Sequence, residues 1–202
     1  VYGSEIALGA GDATGSKITI SGGSVTGSVY GGKTAGTGAA TGHTLNLYGG
    51  TVSGSVYGGH TASGATTGNT VNLGNGTTNS ATTVTGTIYG GNQAADTNNV
   101  LNVNTNATAG NIANFGMVKF NFNSTFNQAN PMLNVVGGAA TDLDWDAVTY
   151  TGTAPVGRSI LMQNMSNINL GATYRGAKLA SLTDTHERVI DTNTGTGTAQ
   201  QI

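Results

Sequence analysis

One segment of the chain matches the phosphate-binding loop pattern Gly-x4-Gly-Lys-[Ser/Thr] in full, at residues 27–34. That loop cradles nucleotide phosphates only where a strand precedes it and a helix follows it. Here residues 35–38 read Ala-Gly-Thr-Gly, which is a poor helix start. Later copies of the segment carry His60 and Asn92 in place of Lys33. We interpret the match as part of a repeated glycine-rich turn, and we expect no cofactor.

Three aspartates at alternating positions, Asp142, Asp144 and Asp146, have the spacing of calcium ligands. Carboxylates at i, i+2 and i+4 share one strand face or begin a calcium loop. An EF-hand loop would place Gly at its sixth position and Glu at its twelfth, where this chain has Ala147 and Thr153. We therefore predict a solvated strand face and no metal site, with the three aspartates as the weak candidates.

A polysaccharide lyase or hydrolase would need acids and bases that converge from neighbouring strands. Residues 13–95 contain no Asp or Glu, and the histidines there, His43 and His60, fall at different positions of a repeat. An active site would have to draw on the C-terminal part of the chain. Its candidates are Asp142, Asp144, Asp146, Arg158, Arg175, His186 and Glu187. We predict no catalytic residues and no enzyme activity.

The composition disfavours several classes of partner. Charged residues make up 8% of the 202 residues and the formal net charge is -2, so nucleic acid and anionic membranes are poor partners. No apolar run reaches the roughly 18 residues of a membrane helix, so we expect no transmembrane segment. With no cysteine, neither a disulfide nor a thiolate metal site can stabilise the fold.

A repeated Tyr-Gly segment is the main signal in the sequence. Its four copies begin at Val1, Val29, Val56 and Ile88, with offsets of 28, 27 and 32 residues. Between them lie short stretches that alternate polar and apolar residues, such as Thr-Leu-Asn-Leu at 44–47, and this period of two predicts strands. Glycine supplies 34 residues, and we expect corners that need a positive φ at pairs such as Gly22-Gly23 and Gly49-Gly50.

Strands this short cannot bury an apolar face alone, because each presents a single line of aliphatic side chains. Stacked as parallel coils, every strand would pair with its copies about 4.8 Å above and below. We therefore predict an all-β fold, a right-handed parallel β-helix (β-solenoid) with about 27–32 residues per coil. Three inward ladders are expected: Ile18, Leu45, Val71 and Leu101; Ile20, Leu47, Leu73 and Val103; and Val1, Val29, Val56, Ile88 and Ile112.

The same alternation predicts outward columns. One should stack side chain on side chain through amide hydrogen bonds: Thr19, Asn46, Asn72 and Asn102. A second should form a file of rings that is the candidate interaction surface, or that only steadies the shaft: Tyr2, Tyr30, Tyr57 and Tyr89. A third should begin with an ion pair between its first two members: Glu5, Lys33, His60 and Asn92.

The regularity of the repeat changes along the chain. We predict Gly-rich regular solenoid repeats over residues 1–110, larger and less regular capping coils over 111–190, and a polar Gly/Thr linker or tail over 191–202. Length variation falls in the segment after each Tyr-Gly-Gly and in an insertion at residues 74–83. Both should project from the shaft as loops.

The repeat pattern is similar to that of a known family. Residues 1–123 carry Thr-Gly-x-Thr-[Val/Leu]-Asn-Leu, then Gly-Gly-x-Val-[Ser/Thr]-Gly-[Ser/Thr]-Val-Tyr-Gly-Gly, and finally Gly-Asn-Ile-Ala-Asn-Phe at 110–115. This resembles the passenger domains of bacterial autotransporter adhesins. The resemblance implies a β-helix that is exported across the outer membrane to the bacterial cell surface, with no catalytic motif to carry over.

These observations predict a structural and adhesive surface scaffold, an extended secreted solenoid that presents loops and the tyrosine file to a host surface, a glycan or a sister protein. The alternative is a self-assembling subunit of an extracellular filament, stacked end to end through open solenoid edges, because Val1 lies within a repeat that a longer chain would complete. A polysaccharide-active β-helix enzyme is the third class.

Overall fold

The fold is a parallel β-solenoid of about five turns. The computed structural model of the chain describes residues 1–78, 80–93, 98–139, 141–143, 148–155, 158–170, 173–174, 177–178, 185–191 and 198–201. All regular structure in these segments is β, as the sequence predicts. None of the described residues forms a helix long and apolar enough to cross a bilayer.

Short strands follow one another along the described residues. They are β1 (Tyr2–Ile6), β2 (Ala13–Thr14), β3 (Lys17–Ile20), β4 (Ser24–Val25), β5 (Val29–Thr34), β6 (Ala40–Thr41), β7 (Thr44–Leu47), β8 (Gly50–Val52), β9 (Val56–His60), β10 (Thr70–Leu73), β11 (Thr82–Gly91), β12 (Val100–Val103), β13 (Ala107–Ala113), β14 (Met117–Asn121), β15 (Leu133–Val135), β16 (Thr141–Leu143), β17 (Val148–Thr151), β18 (Arg158–Leu170), β19 (Thr173–Tyr174), β20 (Ala177–Lys178), β21 (Thr185–Asp191) and β22 (Thr198–Gln201).

Two sheets carry the coils. In the first sheet, β1, β5, β9, β11, β13, β15 and β18 pair in that order, all parallel. In the second, the parallel order is β3, β7, β10, β12, β14 and β17. Each strand therefore lies next to the equivalent strand of the preceding and following coils, as repeat stacking requires.

The predicted aliphatic ladders are confirmed. Ile18 lies beside Leu45, which lies beside Val71, and Ile20 begins a parallel column that continues through Leu47. From the second coil on, these side chains are almost fully buried and form the core. The third ladder runs through Val29, Val56, Ile88 and Ile112 in register. Val1, at the start of that ladder, is 52% exposed.

The predicted asparagine column is also confirmed. The Asn46 amide donates to the Thr19 hydroxyl at 3.2 Å, Asn72 donates to Asn46 at 2.8 Å, and Asn102 donates to Asn72 at 2.7 Å. Asn46 is only 2% exposed, so this column is more enclosed than an outward position implies. Each link joins one coil to the next, and the column therefore fixes the register in addition to the backbone bonds.

The segments that follow Tyr-Gly-Gly do not simply project as loops, which corrects the prediction. Ala13 and Ala40 lie side by side in a short parallel pair of β2 with β6, and both are buried. The Ala40 amide donates to the Ala65 carbonyl in the next coil at 2.9 Å. The Thr61 hydroxyl donates across coils to the Gly38 carbonyl at 2.8 Å. The composition of these Gly/Ala/Thr segments is typical of loops. They nevertheless stack, because threonine hydroxyls and backbone groups form hydrogen bonds between coils.

The coil length changes near residue 111. Asn104 and Asn121 occupy equivalent positions of consecutive coils, and the Asn121 amide donates to the Asn104 side chain, so this coil has 17 residues. In the following coil the Thr151 hydroxyl donates to Asn121, which makes that coil 30 residues long. The short coil arises because β13 passes directly into β14 around Asn114, whose φ is 59°. Further on, β21 pairs antiparallel with β18, and β22 pairs antiparallel with β21. The tail expected to be a linker thus contains β22 among its described residues.

The glycines of the Tyr-Gly-Gly segments have a steric role rather than a corner role. Gly58 lies inside β9 and does not have a positive φ. A Cβ on Gly58 would overlap the carbonyl oxygen of Gly90 in the next coil and lie 2.7 Å from the Cβ of Asn69. Positive φ occurs at the predicted glycine corners, at Gly23 with 78° and at Gly50 with 86°. The interior is therefore too narrow for any side chain at Gly58.

Replacing Gly58 with Ala should lower the free energy of unfolding by about 1–3 kcal/mol, because the methyl group forces two coils apart. The matched control is Gly27→Ala, since no atom lies within 4 Å of a Cβ at Gly27. That variant should stay within about 0.5 kcal/mol of the parent chain. Urea denaturation of both variants measures the difference, and equal stability of the two would contradict the steric explanation.

Candidate functional site: the tyrosine face

One outward surface of the first sheet gathers four of the five tyrosines of the repeats, together with an ion pair and a histidine. We call it the tyrosine face and define it by eight residues in two adjacent columns: Tyr2, Tyr30, Tyr57 and Tyr89, with Glu5, Lys33, His60 and Asn92. Strands β1, β5, β9 and β11 position the tyrosines, because the parallel register pairs each tyrosine with the next. Two glycines separate each of the last three tyrosines from the next residue of the second column. Because glycine has no side chain, the tyrosine column and the second column lie next to each other.

The four tyrosine rings form a continuous stack. Ring centroids are 5.0 Å apart from Tyr2 to Tyr30 and from Tyr30 to Tyr57, and 4.7 Å apart from Tyr57 to Tyr89. The planes deviate from parallel by 4–9°. Most ring faces therefore contact another tyrosine, and the file offers a partner mainly ring edges and hydroxyl groups. Tyr2 is 46% exposed and the other three are half-buried.

The predicted ion pair lies beside this stack. The Nζ of Lys33 is 3.7 Å from the Oε1 of Glu5, and both side chains are partly exposed. The same ammonium lies 5.2 Å from the ring centroid of Tyr2 and 5.5 Å from that of Tyr30. A cation at this distance from an aromatic ring is attracted to it. Lys33 thus links the charged column to the file, while Glu5 balances its charge.

His60 is the most constrained member of the second column. Its ring meets those of Tyr30 and Tyr57 edge to face, with centroids 5.5 and 5.2 Å away. Its Nδ1 is buried and has no hydrogen-bond partner among the described residues. Burial, and secondarily the positive charge of Lys33, lower the pKa of His60 below its ordinary value. His60 is therefore a neutral imidazole at physiological pH.

The hydroxyl group of Tyr57 stays protonated under the same conditions. Burial raises the pKa of Tyr57, the negative charges that Tyr89 and Tyr30 would develop raise it further, and a hydrogen bond with Ser55 opposes the shift. A phenol that remains protonated both donates and accepts hydrogen bonds. With Glu5 and Lys33 paired and His60 neutral, the tyrosine face is polar but carries no net charge near neutral pH.

The side chains that the sequence offered for metal binding or catalysis lie outside the described part of the structure. Asp142 lies on β16, paired with Asn169, and its side chain is outside the described part, as are Asp144 and Asp146 altogether. The same holds for Arg175 and for the side chains of Arg158, His186 and Glu187. Within the described residues, no group of three His, Asp or Glu side chains lies close enough to hold a metal ion. These candidates therefore stay untested.

A buried polar column, which the sequence analysis did not single out, runs inside the solenoid. Its members occupy the position just before each of the first four strands of the second sheet: Ser16, His43, Asn69 and Asn99. The Ser16 amide donates to Nδ1 of His43 at 3.1 Å, and the His43 amide donates to Oδ1 of Asn69 at 3.0 Å. The Asn69 amide donates to Oδ1 of Asn99, also at 3.0 Å. The available signal was the Gly-x-Thr spacing around His43 and Asn69, but the column residue differs from coil to coil and did not suggest burial.

His43 is the titratable member of this column, and its bonds define its charge state. Nδ1 accepts from Ser16, so the proton lies on Nε2, which is 3.0 Å from the Ala13 carbonyl. The side chain is fully buried. Burial lowers the pKa of His43, although the bond to Ala13 opposes the shift. A Cβ at Gly32 would overlap the His43 ring, so the second glycine of Tyr-Gly-Gly makes room for it.

The stability of the solenoid should depend on pH through His43. Because its pKa is lowered in the folded state, the unfolded chain binds the proton more readily as the pH falls below about 6.5. The stabilisation is therefore complete above that pH and is lost progressively below it. Thermal unfolding midpoints between pH 7.5 and 5.5 should fall less steeply for His43→Asn than for the parent chain.

The control for this titration is His60→Asn, which removes the other histidine with a lowered pKa but only a half-buried ring. It should keep most of the pH dependence. If His43→Asn keeps the full slope and His60→Asn removes it, the buried column is not the source of the effect.

No family model, curated protein or solved structure matches this chain.

Proposed function

We propose that this chain is a non-catalytic solenoid scaffold of an exported bacterial surface protein, and that its tyrosine face contacts a host surface or a glycan. The proposal rests on the in-register stack of four tyrosines beside a polar column in which Glu5 and Lys33 balance each other's charge. The hydrophobic core of the solenoid contains none of these tyrosines. A repeated surface of this kind has no role in burying the aliphatic ladders, which lie on the opposite side of the strands.

The shaft supports a scaffold role because its contacts repeat from coil to coil. Backbone pairing, three aliphatic ladders, the Asn46 column and the His43 column all connect successive coils. In a solenoid each repeat contacts only its neighbours, so stiffness extends along the axis and the surface columns keep their spacing. A partner that contacts several coils then meets groups whose separation is already fixed, which lowers the entropic cost of binding.

The surface supports binding of an extended partner rather than catalysis. The first coils present hydroxyls, a neutral imidazole and one Glu–Lys pair, and none of these is arranged as an acid with a separate base. Export to the cell surface is proposed from the resemblance of the repeats to autotransporter passenger domains, and the absence of cysteine is compatible with it.

End-to-end assembly into a filament is the alternative, and one feature of the fold weighs against it. Such assembly would continue the parallel register from one chain into the next. In the first sheet, the strands of successive coils pair in parallel as far as β18. On its other side, β18 pairs antiparallel with β21. This pairing favours a scaffold over a polymer built by extending that sheet.

Adhesion should depend on the hydroxyl groups of the file, because most of the ring faces already contact another tyrosine ring. The triple variant Tyr30→Phe, Tyr57→Phe and Tyr89→Phe keeps the stack and removes three hydroxyls. Binding of protein-coated beads to epithelial monolayers and to immobilised glycans should fall roughly tenfold or more, since each lost hydrogen bond is worth about 0.5–1.5 kcal/mol. The thermal unfolding midpoint should change little.

The matched control is Tyr150→Phe, which removes a hydroxyl from a 39% exposed tyrosine outside the file. It should bind as the parent chain does. Full adhesion by the triple variant, with its fold intact, would remove the tyrosine face from the proposal.

A further inference from the structure

Four asparagines of the chain begin the sequence Asn-x-Ser/Thr, the acceptor sequence for a sugar on the asparagine side chain when the segment lies at the surface. None has proline at x, and the four are Asn75, Asn106, Asn123 and Asn164. A chain rich in Asn, Thr and Ser contains such sequences by chance. The position of each asparagine in the solenoid therefore decides which of them can carry a sugar.

Three of these asparagines use their side-chain nitrogens to hold the fold together. Nδ2 of Asn106 donates to three backbone carbonyl oxygens of residues 127–131 at 2.9–3.1 Å. Nδ2 of Asn123 donates to two backbone carbonyl oxygens at 2.6 and 2.9 Å. Asn164 is fully buried in β18, and its Nδ2 donates to the Thr141 hydroxyl at 2.8 Å. A sugar on any of these nitrogens would replace an N–H group and break bonds between coils.

Asn75 differs from the other three in both exposure and bonding. It follows β10 in the insertion at residues 74–83, and its side chain is exposed. Its Oδ1 accepts hydrogen bonds from the backbone amides of Thr77 and Thr78 at 2.9 Å each, and from the Thr78 hydroxyl at 3.0 Å. Its Nδ2 donates to no described residue. The fold thus holds the carbonyl end of this amide and leaves the nitrogen available.

We propose that Asn75 is an N-glycosylation site, which takes its glycan from a donor of the glycosyl diphosphate class. In the transfer, Nδ2 forms a bond to the anomeric carbon of the sugar, and the bond from that carbon to the diphosphate oxygen breaks. The diphosphate leaves with the electron pair, and Nδ2 releases one proton to a base of the transferase. The inference goes beyond the proposed adhesive role, because Asn75 is not part of the tyrosine face.

The turn around Asn75 leaves room for a bulky group. Gly76 has a φ of 73°, a left-handed conformation that glycine adopts without a steric penalty. An asparagine whose side chain bonds to the backbone amide two residues later forms a compact surface turn. The neighbouring residues Thr77, Thr78 and Ser80 are exposed as well. A glycan on Asn75 therefore extends from the insertion without displacing the aliphatic ladders or the Asn46 column.

The test presents the folded full chain to two transferases. One arm uses a soluble asparagine glycosyltransferase with UDP-glucose, and the other uses a membrane oligosaccharyltransferase with a polyprenyl diphosphate oligosaccharide. Mass spectrometry locates the sugar. In at least one arm, Asn75 should react at least about tenfold faster than the other three asparagines, because those react only after local unfolding. The arm that transfers identifies the donor. No transfer to Asn75 in either arm, or equal transfer to Asn106 or Asn123, overturns the inference.

Two neighbouring threonines provide a matched pair of variants. Thr77→Val removes the hydroxyl on which the acceptor sequence depends and should abolish transfer to Asn75, whereas Thr78→Val keeps that sequence and should react as the parent chain does. Both threonines are exposed, and circular dichroism checks that the variants fold. Undiminished transfer to Asn75 in Thr77→Val would also overturn the site. Adhesion of the unglycosylated chain reports separately on the tyrosine face, so either proposal can fail alone.

Discussion

Parallel backbone pairing between successive coils is the interaction on which every other feature of this molecule depends. A single coil contributes short strands, most of them of two to six residues, and each presents one line of aliphatic side chains, which cannot form a core alone. Pairing Leu45 with Val71 and Val29 with Val56 converts these lines into ladders. The same register brings the tyrosines into contact, so the surface of the solenoid is as ordered as its interior.

A narrow interior explains why glycine and buried polar residues occur together. Gly58 lies against the backbone of the next coil, and Gly32 gives its space to the ring of His43. Where the chain enters the second sheet, the backbone amides of Ser16 and His43 donate to side chains of the next coil, those of His43 and Asn69. Buried polar groups without partners are costly, so this column completes the hydrogen bonding of the corner. The solenoid therefore combines aliphatic ladders with polar ones inside a small cross-section.

Much of this organisation could be predicted from the sequence, and the exceptions have physical causes. The period of two and the repeat offsets determine which residues stack, so the ladders of Leu45 and of Asn72 followed directly. The column of His43 was missed because a variable polar residue before a strand resembles a surface position. The segments after Tyr-Gly-Gly were expected to project because their composition is that of loops, whereas Thr61 bonds between coils. Spacing also predicted the tyrosine file, but not the edge-to-face contacts that the ring of His60 makes with Tyr30 and Tyr57.

Engineered disulfides test the in-register stacking most directly, since the chain has no native cysteine. Thr44 pairs with Thr70 across adjacent coils, and neighbouring strands lie within the roughly 4.4–6.8 Å between Cα atoms that a disulfide spans. The double variant Thr44→Cys with Thr70→Cys should lose its free thiols under mild oxidation as a monomer. Moving the second cysteine to Asn72 creates a diagonal pair roughly 7–8 Å apart, which should stay reduced. Preferential oxidation of the diagonal pair, or equal oxidation of both, would contradict the stacking register.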